Sequence, residues 1–515
     1  MFPIHSLADA RAYEDSILKG QARLTAAAMD NAGRAIGNEL LLDYKELGDW
    51  PADAHILIFG GKGLNTGDAF VACEAISESV ANLRITLVLS ADEDSLNPIA
   101  LEVLQRLKRS QAERMQVISV ESFMSQEPAT YNVVLDGLYG LGFRPPLREN
   151  IADLLKRING MDSIRLRVSI DLPSGMGEET DPDTFRADLT YIPGVAKAPV
   201  FKKTNKEYVG RIRFLEIEPF LDQPTGEDSS PCLASRHAHK SLNRYRDAQS
   251  DKRSYGHCLL IAGSTQMPGA ALMATMGALQ AGAGLVTSCV PMSIMPYIAP
   301  RVPEAMWRPL PLTPDGSFDL EAVRIISQSS AKANAILIGP GLIADRATIF
   351  ALSRIIREIH LPMVLDASAL TQDILSAVLG RPLNAGPVIL TPHMGEFFRI
   401  SGAKAETMDD RALLDFSSKY RVTTVLKGNP NLVCDGKRVI TVPVGGPLLA
   451  RGGAGDILSG MVTCLLAQYP DMPVDVAVKA VCWHGAAADS LARESGATAV
   501  KTTDLLPHLA SSLRA

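Results

Sequence analysis

Short apolar runs, separated by polar stretches with helical periodicity, recur along most of the chain. In the amino-terminal half these runs are HILIFG, ITLVLS, MQVISV, YNVVLDG, LRVSID, ADLTYI and VGRIRFLEI. Apolar runs of this length between turn residues are typical of strands that are buried on both faces. Their alternation with helical segments predicts an α/β fold, in which helices cover both faces of a parallel sheet.

Two predicted helical regions flank the first of these strands. The alanine-rich, amphipathic stretch from Tyr13 to Asp43 predicts a leading helix or helix pair. After it, HILIFGGKGLNTGDAFVACEAI has the order strand, Gly-rich loop, helix. A doubly wound sheet uses this order to place a phosphate or nucleotide at the amino terminus of a helix. We therefore predict a Rossmann-like three-layer domain in this half.

Two domains are expected because 515 residues exceed one ordinary hydrophobic core. Between Leu221 and Arg253 the chain becomes polar and dense in charge, as interdomain linkers are. We place the amino-terminal domain at 1–222, the linker at 223–235 and the carboxy-terminal domain at 236–515. The last domain contains six further strand-to-loop transitions, YGHCLLIAGST, GLVTSCV, AILIGPG, MVLDAS, VILTPH and TTVLKG.

A run of small residues, ARGGAGDILSG at 450–460, opens into an apolar helical segment of the carboxy-terminal domain. Its glycines allow the backbone to turn tightly and to bring N–H groups close to a ligand. Gly453, Ala454 and Gly455 could offer these groups to a phosphate while Asp456 accepts a proton from a hydroxyl, as phosphoryl transfer requires. The alternative is a Gly-rich turn in which Asp456 only caps the helix.

Composition and charge narrow the class of protein. Apolar residues make up 46% of the chain and charged residues 21%, as in soluble globular proteins, and a net charge of −6 provides no basic surface for nucleic acid. Seven scattered cysteines without a CxxC pair predict free thiols in a reducing compartment. The first residues lack a signal-peptide pattern. We expect a cytoplasmic protein that acts on small molecules.

The segment 270–300 has no charged residue and could be mistaken for a membrane span. It is interrupted by AGAG at 281–284 and by Pro291 and Pro296. We therefore predict a buried helix followed by a buried strand, LVTSCV, and no contact with a membrane.

Five further motifs accompany ARGGAGD along the carboxy-terminal domain, namely AGSTQMPGAA, IGPGL, LDASAL, LTPHMGE and VLKGNPN. Together they resemble the dehydratase that repairs hydrated nicotinamide nucleotides, a member of the ribokinase-like fold, over residues 236–515. In that family ADP or ATP phosphorylates the C6 hydroxyl of (S)-NADHX or (S)-NADPHX, and elimination of phosphate restores the dihydronicotinamide. The resemblance implies ADP or ATP as co-substrate and Mg2+ as the ion that bridges its phosphates.

The resemblance also implies roles for individual residues. The hydrated cofactor would contact Ala270, Gly341, His393 and Asp456, with Asp456 as the general base. The adenine nucleotide would bind Lys427, Gly428, Asn429, Pro430, Asn431 and Gly455.

Simpler readings of these motifs stay open. The Thr-Pro-His turn could carry a solvated histidine, and Lys427 could be a surface lysine. The insertion at 241–253 is unlike the compact entry of relatives, and it could lengthen a loop over the site or be disordered.

The amino-terminal half contains MDNAG, GKGLNTGDA, LDGLYGLGFRPPL and SIDLPSGM. These motifs resemble the NAD(P)HX epimerase, which interconverts the R and S hydrates and is often fused to the dehydratase. The resemblance implies that Asp171 is the catalytic carboxylate. It implies substrate contacts with Leu64, Asn65, Thr66, Gly67, Asp68, Gly140, Leu141, Gly142, Phe143, Arg144, Pro145, Pro146 and Asp171.

The same resemblance implies a potassium ion held by Asn65, Asp136 and Ser174. Oxygen donors from an amide, a carboxylate and a hydroxyl suit a hard cation and would pin three loops together. Asp171 also has a simpler explanation, because an aspartate at a strand end before Pro-Ser-Gly can just cap the turn.

The Gly-rich loop of this half departs from the GKGNNGGDG pattern of relatives at Leu64, Thr66 and Ala69. Thr66 and Ala69 would strain the loop if those positions require a positive φ, and Leu64 removes a polar contact. We expect a bifunctional repair enzyme that forms a homo-oligomer. Two alternatives remain, a ribokinase-fold vitamin or sugar kinase and an amino-terminal half that binds nucleotide without catalysis.

Overall fold

The computed structural model describes residues 1–223, 231–313, 316–318, 320–405 and 408–514. The chain divides into two compact units, Met1–Gly226 and Glu227–Ala515, which we call unit 1 and unit 2. Residues 224–230 of the predicted linker lie outside the described residues. Each unit has hydrophobic clusters of its own on both faces of a largely parallel sheet.

Unit 1 is built on a seven-stranded parallel sheet with the order β4-β3-β2-β5-β6-β7-β9. A short parallel pair, β1 with β8, lies outside it. The strand order reverses between β2 and β5, which is where doubly wound sheets bind ligands. The strands of unit 1 are β1 (Phe2–His5), β2 (His55–Gly60), β3 (Arg84–Leu89), β4 (Met115–Ser119), β5 (Val133–Gly137), β6 (Arg167–Ile170), β7 (Leu189–Pro193), β8 (Ala196–Lys197) and β9 (Arg211–Leu215).

Helices cover both faces of this sheet. Along β2, Ile56 and Ile58 are buried on the face that carries α2 and α3, whereas Leu57 and Phe59 are buried on the face of α5 and α6. The predicted helix pair is confirmed as α1 and α2. The helices of unit 1 are α1 (Leu7–Leu18), α2 (Ala22–Asp43), α3 (Leu64–Ser79), α4 (Pro98–Ser110), α5 (Val120–Ser125), α6 (Glu149–Asn159), α7 (Ala198–Phe201) and α8 (Lys206–Val209).

The sheet of unit 2 has the order β13-β12-β11-β14-β15-β16-β17-β18-β19-β10. Its neighbours are parallel except at β17-β18 and β18-β19, and its order reverses between β11 and β14. The strands are β10 (Cys232–Leu233), β11 (His257–Ile261), β12 (Leu285–Pro291), β13 (Met306–Leu310), β14 (Ala335–Ile338), β15 (Met363–Leu365), β16 (Val388–Leu390), β17 (Thr423–Leu426), β18 (Asn431–Cys434) and β19 (Val439–Val442).

The uncharged segment 270–300 folds as predicted, into the helix α9 followed by the buried strand β12. None of the helices in the described ranges has the length and apolar character that a membrane crossing needs. The helices of unit 2 are α9 (Pro268–Gln280), α10 (Met295–Ile298), α11 (Leu320–Ser330), α12 (Arg346–Glu358), α13 (Gln372–Leu379), α14 (Met394–Ser401), α15 (Asp410–Tyr420), α16 (Ala454–Gln468), α17 (Pro473–Ser495) and α18 (Leu505–Arg514).

Helices α9 and α16 pack with their backbones in contact. A Cβ added at Gly277 would lie 2.4 Å from the carbonyl oxygen of Ile457, and one at Gly460 would lie 2.1 Å from that of Ala274. Only glycine permits so close an approach. This contact fixes the first turns of α16, which begins in the ARGGAGD run, beside the middle of α9.

The insertion at 241–253 lies at the other end of these two helices. The Arg246 guanidinium contacts the carbonyl oxygen of Gly282, just after α9, at 3.4 Å, and Arg244 lies over the ring of Tyr469, just after α16. Helix α16 begins in the ARGGAGD run and ends beside the insertion. Of the two alternatives left open for the insertion, a longer loop over the ARGGAGD run is therefore not what the structure places there.

Candidate active sites

A cavity of about 510 Å³ opens in unit 1 at the carboxyl ends of β2, β5 and β6. Eight of the predicted contact residues line it, Leu64, Asn65, Asp68, Gly140, Leu141, Gly142, Phe143 and Asp171. Thr66 and Gly67 are instead buried in the first turn of α3, and 144–146 are exposed and outside the lining. The structure thus gathers most of the predicted epimerase site around one cavity at the switch point of the sheet.

A lysine that the sequence analysis missed pairs with Asp171. Lys197 Nζ lies 2.5 Å from Asp171 Oδ1 and 3.0 Å from Glu14 Oε1, and the lysine side chain is only 2% exposed. Burial by itself would lower the pKa of Lys197, but the two carboxylates raise it above its usual range. Asp171 is therefore part of a buried ion pair, which its simpler role as a turn cap does not explain. Lysine inside the apolar run YIPGVAKAPV was the available signal.

The second aspartate of this cavity, Asp68, is in a different situation. It lies in the first turns of α3 and lines the cavity, and its carboxyl has no hydrogen-bond or ion-pair partner among the residues that the structure describes. Burial raises the pKa of Asp68 well above its usual value, and the negative charges of Asp171 and Glu14 raise it further. One cavity therefore holds a lysine-paired aspartate and a second aspartate whose pKa is raised by burial and by negative neighbours.

The altered Gly-rich loop is not strained. Leu64, Thr66 and Ala69 lie in α3, and none of the residues 61–69 has a positive φ. The Thr66 hydroxyl accepts a hydrogen bond of 2.7 Å from the N–H of Gly61 and lies 2.9 Å from the carbonyl oxygens of Gly61 and Gly137. The substitutions therefore cause no backbone strain of the kind a positive φ would bring. Thr66 joins the loop to the end of β5.

The three residues predicted to hold potassium lie in one hydrogen-bonded cluster. Ser174 donates to both oxygens of Asp136, from Oγ at 2.6 Å and from its N–H at 2.7 Å. The N–H of Tyr139 donates to Ser174 Oγ, and the Asn65 amide donates to the carbonyl oxygen of Tyr139. Burial raises the pKa of Asp136 to about 6, and its hydrogen-bond partners are neutral groups. A monovalent cation would stabilise the charged carboxylate, so the residues fit such an ion.

In unit 2, Asp456 lies in the first turn of α16 and does not cap it. The cap is Gly453, which has φ 92° and makes no side-chain cap, so the simpler reading of Asp456 is wrong. Burial raises the pKa of Asp456 to about 7, together with the negative charge of Asp366 and against the positive charge of Lys427. A carboxyl group with this pKa can exchange a proton near neutral pH.

Lys427 is a buried partner rather than a surface lysine. Its Nζ lies 3.0 Å from Asp366 Oδ1, and the side chains are 22% and 2% exposed. A Cβ added at Gly455 would lie 3.1 Å from the same Nζ, so the ammonium group lies against the glycine loop at the start of α16. Asp366, in the LDASAL motif, was not predicted as a site residue. Its position directly after a buried strand was the available signal.

His393 is exposed, as expected for a solvated histidine in the Thr-Pro-His turn, and it also caps α14. Its Nδ1 accepts a hydrogen bond of 3.0 Å from the N–H of Gly395 and caps α14, and its side chain is 61% exposed. Glu396, which the sequence analysis missed, completes the capping box by accepting from the N–H of His393. Contact between His393 and the hydrated cofactor stays a prediction.

The other predicted residues of unit 2 follow neighbouring strands. Gly341 has φ 66°, and a Cβ there would lie 2.7 Å from that of Ala270, so the loops after β11 and β14 meet. The turn Lys427–Asn431 is closed by a hydrogen bond from the N–H of Gly428 to Asn431 Oδ1. Within the described residues, groups of three or more His, Cys, Asp or Glu side chains that could hold a metal ion are absent.

Two family models match the chain. NAD(P)H-hydrate dehydratase matches residues 258–510, and the YjeF-related protein N-terminus matches residues 25–198. A solved structure of the ADP/ATP-dependent NAD(P)H-hydrate dehydratase from Bacillus subtilis, co-crystallised with ATP/Mg2+, is 30% identical with a TM-score of 0.47. It covers 55% of this chain and 98% of its own.

Curated relatives match both units together. The bifunctional NAD(P)H-hydrate repair enzyme Nnr of Moorella thermoacetica is 30% identical over 94% of this chain and 92% of its own length. The enzyme of the same name from Gloeobacter violaceus is 31% identical over 94% of each chain. The chain belongs to the family of bifunctional NAD(P)H-hydrate repair enzymes.

Proposed function

We propose that the chain repairs hydrated NADH and NADPH in two steps. Residues 1–222 interconvert the R and S hydrates, and residues 236–515 dehydrate the S form at the expense of ADP or ATP. Both halves match their family models, and full-length relatives carry the name of the bifunctional enzyme. The observation that carries the assignment is the start of α16, where a glycine loop and a carboxyl group with a pKa of about 7 lie together.

For dehydration, Asp456 is the general base. It takes the proton of the C6 hydroxyl, whose oxygen then attacks the terminal phosphoryl group of the nucleotide. AMP or ADP leaves in this transfer, and the phosphorylated C6 oxygen is a good leaving group. Its departure as phosphate, with loss of a proton from C5 to water, restores the C5–C6 double bond. Ala270, Gly341 and His393 surround the nicotinamide, a role supported by their positions after β11, β14 and β16, with Ala270 in the first turn of α9.

The nucleotide binds along Lys427–Asn431 and Gly455. The Lys427 ammonium beside the glycine loop and the N–H groups of Gly455 and Asp456 in the first turn of α16 supply positive charge for its phosphates. Asp366 and Glu396 are the buried carboxylates near Lys427 that would hold Mg2+, which would supply further positive charge for the phosphates.

For epimerisation, Asp171 is the catalytic carboxylate, and the substrate fills the cavity of unit 1. Potassium would be held by Asn65, Asp136 and Ser174, where it would fix the loops after β5 and β6. The buried, hydrogen-bonded cluster of Asp136 and Ser174 supports this site.

A cytoplasmic location and a homo-oligomer belong to the same proposal. All seven cysteines are free and buried, which suits a reducing compartment. The end strand of the unit 2 sheet, β13, carries the exposed Met306, and Tyr297 nearby in sequence is 77% exposed. Light scattering of the purified protein measures the oligomeric state directly.

The test of the function supplies the protein with (S)-NADHX, Mg2+ and either ADP or ATP, and follows the return of dihydronicotinamide absorbance. Return with one nucleotide supports dehydration, and no return with either one contradicts it. The same assay on (R)-NADHX proceeds at the enzymatic rate only if unit 1 epimerises. A stable phosphorylated vitamin or sugar, without NADHX turnover, would instead identify a kinase.

A further inference from the structure

The cavity of unit 1 contains two aspartates with opposite surroundings. Asp171 is bonded to the buried Lys197, which Glu14 holds from α1. Asp68 lines the same cavity from α3 and has no polar partner in the described part of the chain. A carboxyl bonded to an ammonium group favours its charge, whereas an unpartnered buried carboxyl disfavours it. The arrangement resembles the paired carboxyls of enzymes that need an acid and a base in one site.

We propose that the epimerase site works with two carboxyl groups, Asp68 as proton donor and Asp171 as proton acceptor, and that Lys197, clamped by Glu14, is the positioning residue that distinguishes them. The proposal rests on the epimerase function of unit 1. It goes beyond that function by giving Asp68 a chemical role and by bringing Glu14 and Lys197 into the site.

The chemistry follows from the hydrate itself, in which C6 carries a hydroxyl and is bonded to the ring nitrogen. Asp68 protonates the hydroxyl oxygen as the C6–O bond breaks, and the nitrogen lone pair forms a C=N double bond. The hydroxyl leaves as water. A water molecule then adds to the opposite face of C6, its proton passes to Asp171, and the double-bond electrons return to nitrogen.

One turnover therefore moves a proton from Asp68 to Asp171 and inverts C6. The composition of the substrate is unchanged, although its C6 oxygen now comes from water. The reverse reaction uses the two carboxyls in the opposite roles, as microscopic reversibility requires. Exchange with cavity water restores the starting protonation. The cationic C=N intermediate is stabilised by the negative charge that Asp171 and Glu14 place around the cavity, since one ammonium balances two carboxylates.

Lys197 acts through Asp171. Asp171 has φ 67°, a backbone conformation that residues other than glycine seldom adopt. The 2.5 Å contact with Lys197 holds the Asp171 carboxylate in this position. Glu14 reaches the lysine from α1, and Arg11 of the same helix donates to the carbonyl oxygen of Leu141 in the cavity wall. Helix α1 thus helps to build the site, although the motifs of the half begin after it.

The experiment uses the full-length protein with (R)-NADHX and no ADP or ATP, so that unit 2 cannot consume the product, and separates the hydrates by chromatography. Asp68→Asn is expected to lower kcat for epimerisation by about 100-fold or more, the usual size of a lost proton transfer, with KM little changed. Asp68→Glu should recover part of the rate because it restores an acid. An Asp68→Asn variant with wild-type kcat would overturn the proposal.

Lys197 is tested by a pair of variants. Lys197→Met should lower kcat by about 100-fold, because a displaced reacting group costs a rate of this order, and Lys197→Arg should recover much of it. Glu14→Gln should have a smaller effect in the same direction, and Asp15→Asn, an exposed neighbour outside the cavity lining, is the matched control. Equal rates for Glu14→Gln and Asp15→Asn would remove Glu14 from the site.

Two further readouts separate chemistry from folding and from the function itself. Each variant should keep the wild-type rate of dehydration of (S)-NADHX with ADP or ATP, because unit 2 is unchanged. In water enriched in 18O, the S product of the wild type should carry the heavy oxygen, and retention of the original oxygen would contradict the proposed step. No enzymatic epimerisation by the wild type would instead refute the proposed function of unit 1.

Discussion

The two sites of the chain share an arrangement of charges that serves different reactions. In unit 1, Asp171 pairs with Lys197 at 2.5 Å, and in unit 2, Asp366 pairs with Lys427 at 3.0 Å. Each pair lies where strands of a parallel sheet end. Each also faces a second aspartate whose pKa burial raises, Asp68 in unit 1 and Asp456 in unit 2.

The sites differ in the helix that begins beside the charges. Helix α16 starts after Gly453 with φ 92°, and Gly455 in its first turn leaves room for the Lys427 ammonium group. In α3 the Thr66 hydroxyl instead joins the first turn to Gly61 and Gly137. In the proposed mechanisms, a lysine pair and a second carboxyl transfer protons in both units, and the glycine-rich start of α16 adds phosphoryl transfer in unit 2.

The strongest test of this comparison removes the lone carboxyl of unit 2. Asp456→Asn keeps the shape of the side chain but cannot accept a proton, so kcat for dehydration should fall by about 10²–10⁴-fold. Epimerisation of (R)-NADHX without nucleotide should be unchanged in the same protein. A variant that dehydrates at the wild-type rate would take the base role from Asp456.

The pH dependence of dehydration should report the same carboxyl. Asp456 must be ionised to accept the hydroxyl proton, and its pKa is raised to about 7. Below this pH the ionised fraction falls, so kcat/KM for (S)-NADHX should drop about tenfold per pH unit and level off above it. Asp456→Glu, if active, should shift this limb. A wild-type kcat/KM that is flat between pH 5 and about 8 would contradict proton transfer by Asp456, and with it the similarity to Asp68.

Much of this arrangement was predictable from sequence, because it depends on local patterns. Apolar runs fixed the strands, the family-like motifs fixed the strand ends, and Asp171 and Asp456 each stand directly in such a motif. The sequence does not predict which charged residues from distant parts of the chain pair with these aspartates and lysines. Glu14 meets Lys197 only after the sheet and α1 have packed, and neither residue stands in a motif with a role of its own.

The points that the sequence left open have the same origin. Thr66 and Ala69 would strain the loop only at a positive φ, and the backbone there is helical. The insertion at 241–253 follows the linker, so its distance from Asp456 could be read only from the direction of α9 and α16. Asp366 pairs with Lys427 across neighbouring strands, and that contact depends on strand order rather than on spacing.

The glycine-rich start of α16 can be tested without touching a charged residue. In Gly455→Ala the new methyl group would lie 3.1 Å from Lys427 Nζ, so the ammonium group must shift. We expect KM for the nucleotide to rise by about tenfold, because misplacing a phosphate-binding group weakens it to this extent. Gly452→Ala is the matched control, since a Cβ there has no atom within 4 Å. Equal nucleotide KM values for the two variants would contradict a role for Gly455.

The smallest effect is expected at Thr66, in the first turn of α3. Thr66→Val keeps the shape but leaves the N–H of Gly61 without its 2.7 Å partner, which should lower the free energy of unfolding of unit 1 by about 1–3 kcal/mol. Thr66→Ser retains the hydroxyl and should lose less. Hydrogen exchange measured for residues 61–79 should be faster in Thr66→Val, while 454–468 serves as an internal reference. Unchanged exchange would mean that the Thr66 hydroxyl does not hold the first turn of α3 against Gly61 and Gly137. The difference between the two helix starts would then depend on the glycines of α16 alone.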